Sequence, residues 1–156
     1  MRPTARQRFV QWALDQVGRP ALWGAKGIDP RSGQVAFDCS GLVTRALKEV
    51  GGPDLTLVDN AQHLFNETLP LPSSMEALPG DLLFFGMTPE TVVHVGIVLA
   101  GGHALDAAGA TSSITDIHEA VRAGATVRTH SSLQYRSHLL GAHRNHWVDA
   151  LDLVCR

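Results

Sequence analysis

The sequence predicts an α+β domain, with N-terminal helices packed on a mainly antiparallel sheet. Three observations carry this. Apolar residues recur at helical spacing in the first third, β-branched and aromatic runs fill much of the second half, and the two regimes do not alternate as parallel-sheet units would. A chain of 156 residues has the length of one such domain and can bury one sizeable core, so residues 1–156 are read as a single unit.

The elements follow in order. Thr4 and Gln7 stand at capping-box spacing, and Phe9, Trp12, Ala13 and Val17 repeat near the helical period until Gly18-Arg19-Pro20 stops the helix. Gly24 to Gln34 carries Gly24, Gly27, Pro30 and Gly33 without apolar periodicity and reads as a surface loop. A second helix should start at Asp38 or Cys39, with Asp38 able to cap it. Leu42, Val43, Ala46, Leu47 and Val50 form its buried stripe, and Gly51-Gly52-Pro53 ends it. A shorter helix covers Asn60 to Glu67, and Leu69-Pro70-Leu71-Pro72 is an extended connector.

Sheet character begins after the Pro79-Gly80-Asp81 turn, with a strand over Leu82-Leu83-Phe84-Phe85. Thr91 to Ala100 is the longest β-branched run, and Gly101-Gly102 should turn it into a partner strand from about His103 to Ala107. Asp116 and Glu119 have capping-box spacing before a short helix ended by Gly124. Val127 to His130 and Leu151 to Cys155 are read as closing strands.

Charge and composition narrow the function classes. Thirteen basic and fifteen acidic residues give a net charge of -2 with no run of like charges, which argues against a nucleic-acid surface. No stretch is long and apolar enough for stable membrane insertion. The basic start, Met1 to Arg8, is followed by neither an apolar core nor a small-residue cleavage site, so it reads as mature structure rather than a signal peptide. The expectation is cytoplasmic synthesis. Action at a cell wall would then need a non-classical export, phage or lysis route.

The two cysteines have different settings. Cys155 lies in an apolar tail and reads as a packed or incidental thiol, whereas Cys39 sits in the polar run Asp38-Cys39-Ser40-Gly41. A thiol at a helix start has a use. Unpaired N–H groups and the helix dipole favour thiolate, and the same N–H groups can stabilise an oxyanion. Ser40 and Gly41 are read as keeping bulk away from the sulfur. The candidate base is His94, the one polar side chain inside Thr91 to Leu99. Period-2 geometry puts His94, Gly96 and Val98 on one face and Val93, Val95, Ile97 and Leu99 on the other, which is read as the core face. An imidazole held by the sheet can take the thiol proton and return it to a leaving amine.

Three ordered motifs, Asp38-Cys39-Ser40-Gly41, Pro79-Gly80-Asp81-Leu82 and His94-Val95-Gly96-Ile97, resemble the NlpC/P60 peptidases, as do Val17-Gly18-Arg19-Pro20 and Trp23-Gly24. The resemblance covers roughly residues 5 to 110. It implies a papain-like fold and a cysteine peptidase that needs no metal or other cofactor. The implied substrate is a bacterial peptidoglycan stem peptide, commonly cut between D-glutamate and a diamino acid. Relatives of this kind serve as wall-remodelling enzymes, phage lysins or tail proteins, and toxins. An immunity protein, a phage particle or delivery machinery are therefore the expected kinds of partner.

Two departures from the family pattern stand out. Where many members have a tyrosine after proline, this chain has Pro20-Ala21, with Trp23 nearby to line the cleft. At the third catalytic position, normally histidine, twelve residues after His94, it has Asp106. A carboxylate there can orient His94 and stabilise its charged form. His103, just after the turn, is the alternative third residue. The working site is thus Cys39, His94 and Asp106, supported by Asp38, Ser40, Gly41 and Trp23.

Other constellations are weaker. His138, His143 and His146 lack metal-ligand spacing and read, with Trp147 as anchor, as a partly exposed C-terminal loop. Tyr135, Arg136 and Arg144 could meet an acidic substrate but read as ordinary surface. Neither Gly51-Gly52 nor Gly101-Gly102 has the context of a phosphate loop. The rival functions are a non-catalytic wall-peptide binding or phage structural module, and a thiol amidase or acyltransferase acting on another small substrate.

Overall fold

The computed structural model describes residues 1–57 and 60–154. Helix α1 (Ala5–Leu14) starts on the predicted capping box, with Thr4 accepting from the Gln7 amide and Gln7 reaching back to the Thr4 amide. It stops earlier than the periodicity suggested, and Val17, expected in the stripe, is half exposed in the following turns. Helix α2 (Cys39–Glu49) is capped by Asp38 and buries Leu42, Val43, Ala46 and Leu47. Helix α3 (Ala61–Asn66) is capped by Asn60.

Strands β1 (Leu82–Gly86), β2 (Val92–Leu99), β3 (His103–Ala108), β4 (Thr126–His130) and β5 (Leu139–His143) form one antiparallel sheet in the order β4-β3-β2-β1-β5. Helix α4 (Ile117–Ala123), capped by Asp116, connects β3 to β4. Gly101 and Gly102 both take positive φ, which the tight turn between β2 and β3 requires.

Two expectations are overturned at the C-terminus. Leu151 to Val154 is not a strand but belongs to helix α5 (His146–Val154), which packs on α1. The Ala5 amide donates to Asp152 at 2.6 Å and Arg6 pairs with Asp149 at 3.0 Å. The closing strand is β5, in the segment expected to be a loop, and it pairs with β1 through Leu82–His143 and Leu83–Ala142. Cys155 lies outside the described residues.

The core is laid on both sides of the sheet. Leu82, Phe84, Val95, Ile97, Leu99 and Leu105 join the helix side chains Phe9, Leu42, Leu47 and Leu64. On the opposite face, Leu83, Phe85, Val98 and Ala104 lie under Leu133, Tyr135 and Leu139. Both faces of β2 are therefore covered, contrary to the expectation of one open face. A register shift between Phe85 and Gly86 also displaces the alternation at the start of β2, so that Val92 joins the core and Val93 is exposed.

Asp81 joins the two ends of the chain to the sheet. Fully buried, it pairs with Arg6 at 2.9 Å and Arg144 at 3.2 Å, and accepts from the amides of Leu78 and Asn145. Arg144 is thus a structural partner rather than a free surface cation. Among the described residues, no helix is long and apolar enough to cross a membrane.

Candidate active site

The start of α2 is held in place from below. The Asp38 amide donates to Ala25 O at 2.7 Å, and its carboxylate takes the Gly41 amide and pairs with Lys26 at 3.1 Å. Lys26 also donates to the Ser40 hydroxyl at 2.7 Å. These bonds seat Cys39 on the first turn, where backbone N–H groups have no intrahelical acceptor and can face an anion. A side chain at Gly41 would collide with the backbone oxygen of Ala25 and the Asp38 carboxylate. The role of the glycine is to let the loop before the helix press against the helix start.

Cys39 opens on a cleft of about 550 Å³, whose lining includes Trp23, Lys26, Ser40, Val93, His94 and Arg136. The cysteine is partly exposed there, on the same cleft as His94, and interacts electrostatically with the His94 ring. Trp23 stands 63% exposed at the rim, a placement suited to covering a bound chain. Ala21, at the family's tyrosine position, is fully buried and presents no polar group.

The structure brings Asp106 to His94. Leu105 pairs with Ile97, so the next residue on β3 reaches the level of Gly96, on the face that carries His94. Asp106 Oδ2 lies 2.6 Å from His94 Nε2. His103 is exposed opposite Leu99, five residues, or about 17 Å, along β2 from His94.

Two partners of Asp106 were not anticipated. Its Oδ1 meets His130 Nε2 at 2.7 Å, and its Oδ2 accepts from the Tyr135 hydroxyl at 2.7 Å. Tyr135, read as surface, is packed on the sheet and stacked on His130 with ring centroids 3.8 Å apart. The strand was read over residues 127–130, and His130 shares the Asp106 face because it sits opposite Ala104. Nothing in the polar stretch around Tyr135 signals its contact.

The electrostatics follow from burial and these bonds. Burial opposes a charged ring at His94, but hydrogen bonds and charge from Asp106 and Cys39 outweigh it and raise the imidazole to about 9. Burial likewise opposes the Asp106 charge, yet the His94, His130 and Tyr135 donors hold the carboxyl below its ordinary range. Burial and the adjacent carboxylate push the Tyr135 phenol up, so it remains a proton donor. The arrangement favours an imidazolium at His94, with a carboxylate behind the ring and a thiol on the same cleft.

His138, His143 and His146 do not converge on a metal. His143 is buried between Phe65 and Phe84 with its Nδ1 2.9 Å from the Thr68 hydroxyl, and His146 packs on Trp147. No group of three metal-ligating side chains occurs among the described residues.

A helix-borne cysteine meeting a sheet-borne histidine on an antiparallel sheet defines a papain-like α+β domain. The profile of the NlpC/P60 family matches residues 18–142, and the chain belongs to that family. It is 35% identical over 106 residues to a probable endopeptidase p60 of Listeria grayi, covering 68% of this chain but 19% of that protein. It is 34% identical over 124 residues to peptidoglycan endopeptidase RipB of Mycobacterium tuberculosis, covering 73% of this chain and 49% of that one. The chain thus spans half or less of the length of these relatives.

The solved structure of RipB, described as a peptidoglycan hydrolase, superposes with a TM-score of 0.64 and 27% identity, over 90% of this chain and 64% of that one. RipD of M. tuberculosis, described as a non-catalytic NlpC/p60 domain protein adapted to peptidoglycan binding, shares the fold at TM-score 0.65 and 21% identity. That match covers 92% of this chain and 99% of RipD.

Proposed function

We propose that this chain is a cysteine endopeptidase that hydrolyses stem-peptide amide bonds of bacterial peptidoglycan, between D-glutamate and the diamino acid, through Cys39, His94 and Asp106. The observation that carries this reading is the buried Asp106 holding His94 Nε2 at 2.6 Å, with His94 lining the same cleft as the cysteine at the start of α2. A buried carboxylate that orients a histidine at an open cleft supports turnover over binding alone. RipB is named a peptidoglycan endopeptidase and the Listeria grayi relative a probable endopeptidase, which supports the substrate class. Arg136 on the cleft wall adds positive charge where a stem peptide carries carboxylates.

The chemistry is acyl transfer in two steps. His94 takes the Cys39 proton, and the sulfur attacks the amide carbonyl carbon while first-turn N–H groups face the developing oxyanion. Collapse breaks the C–N bond, and the leaving amine receives the proton from His94. Water then attacks the thioester, giving its proton to His94. The carboxylic acid departs and the thiol is restored. Asp106 supplies the negative charge that stabilises the imidazolium at each stage.

The buried Ala21 in place of the family's tyrosine favours a second reading, a peptide-binding domain without turnover. Digestion of purified peptidoglycan, followed by mass analysis, separates the two. The first reading expects fragments ending in D-glutamate together with new amines on the diamino acid, and loss of both in Cys39→Ala and His94→Ala. Sedimentation of the chain with peptidoglycan and no fragments would favour the second.

A further inference from the structure

We propose that Tyr135 and His130 are positioning residues that together fix the Asp106 carboxylate on His94, so that the working unit has five members rather than three. The inference rests on the Cys39–His94 reading above and adds residues on β4 and the segment that follows it.

The geometry is specific. Asp106 is 1% exposed, and each of its oxygens has a directed partner: Oδ2 meets His94 and Tyr135, and Oδ1 meets His130. A carboxylate held at one oxygen can turn about its Cβ–Cγ bond, whereas one held at both oxygens keeps its plane. The Tyr135 oxygen also lies 3.3 Å from His94 Nε2, so the phenol borders the ring nitrogen as well as the carboxylate.

A second observation is independent of these bonds. A Cβ at Gly96 would lie 2.6 Å from the Tyr135 oxygen. The glycine of His94-Val95-Gly96-Ile97 therefore makes the space that the phenol occupies. Stacking on His130, with planes 7° apart, and packing on Phe85 hold the ring in that space. The sheet thus has a notch beside the base, filled by one hydroxyl. The groups that face His94 are Cys39 from α2, Asp106 from β3 and Tyr135 from the segment after β4, with His130 behind Asp106 and Arg136 next to Tyr135.

The test compares Tyr135→Phe, His130→Ala and His130→Gln with wild type in two assays, after circular dichroism and thermal melting show each to be folded. The first is steady-state hydrolysis of a stem peptide. The second is alkylation of Cys39 by iodoacetamide as a function of pH, which needs no substrate. Tyr135→Phe is expected to lower kcat roughly tenfold with KM unchanged, the scale of losing an outer-shell hydrogen-bond partner. It is also expected to move the alkaline limit of fast alkylation to lower pH, because a loosened Asp106 stabilises the imidazolium less. His130→Gln, which keeps an N–H donor toward Oδ1, should retain more activity than His130→Ala.

Unchanged kcat and an unchanged alkylation profile in Tyr135→Phe, or equal losses in the two His130 variants, would overturn the proposal. If Tyr135→Phe does not fold, the His130 pair decides it. A wild-type chain that hydrolyses nothing contradicts the function proposed above, while its alkylation profile still tests the positioning.

Discussion

Replacing Asp106 by asparagine keeps the shape and removes the charge. With Asp106 and Cys39 in place, the His94 imidazole is raised from 6.5 to about 9 against the opposing effect of burial. That difference corresponds to about 3 kcal/mol favouring the imidazolium. Asp106 supplies a large share of it, through a 2.6 Å hydrogen bond from a site almost closed to water. Without the charge, burial acts against the imidazolium and the ring shifts toward its neutral form. A loss of about 2–3 kcal/mol gives a decrease of roughly a hundredfold in kcat/KM.

The pH dependence has a definite sign. The raised His94 contributes stability fully below 6.5 and loses it as pH rises through about 9. The lowered Asp106 contributes above its ordinary 3.8 and loses that contribution as pH falls through its depressed range. Wild type should therefore hold a plateau of stability between the ordinary carboxylate value of 3.8 and the ordinary imidazole value of 6.5, with a shoulder that falls away toward about 9, and Asp106→Asn should lose that alkaline shoulder. The amide also faces three donors with one oxygen, so a fall of about 1–3 kcal/mol in unfolding free energy is expected. Stem-peptide kinetics and urea unfolding across pH measure both. An Asp106→Asn variant with wild-type kcat/KM and an unshifted pH profile would refute the reasoning.

Arg136→Ala should raise KM about tenfold with kcat preserved, as loss of one charge-assisted contact on an exposed cleft wall; the difference should vanish on a peptide whose glutamate carboxylate is amidated. Gly41→Ala should destabilise the domain by about 1–3 kcal/mol in urea unfolding, because its new methyl group meets the Ala25 backbone and the Asp38 cap. Asp81→Ala leaves Arg6 and Arg144 without their shared carboxylate, and should lower the unfolding free energy by about 3–5 kcal/mol.

The grouping of Asp106 with His94 and the capped start of α2 were legible because their spacing is local. Asp38 caps the helix three residues before Gly41, and the His94-to-Asp106 interval spans one hairpin whose turn is marked by Gly101-Gly102. Residues 139–143 escaped because Leu139-Leu140-Gly141-Ala142-His143 has no β-branched residue. Pairing with β1 makes it a strand, an instance of tertiary context overriding propensity. The run from Leu151 was too short for its period to be told, and contacts with α1 from Asp149 and Asp152 accompany its helical packing. Tyr135 lies 29 residues from Asp106 in a polar loop, so its hydroxyl finds the carboxylate only through the folded sheet. Gly96 carried the nearest hint, as a missing side chain beside the base, but a gap does not name what fills it.

The central claim is that the Cys39 sulfur takes the acyl group of the substrate. Intact-protein mass spectrometry tests it, on acid-quenched mixtures of the chain with a stem peptide at early times. The account predicts a mass increase equal to the acyl fragment, mapped by peptide digestion to Cys39 and absent in Cys39→Ala, whose hydrolysis is abolished. Undiminished hydrolysis by Cys39→Ala, or an acyl adduct mapped to another residue, would contradict it.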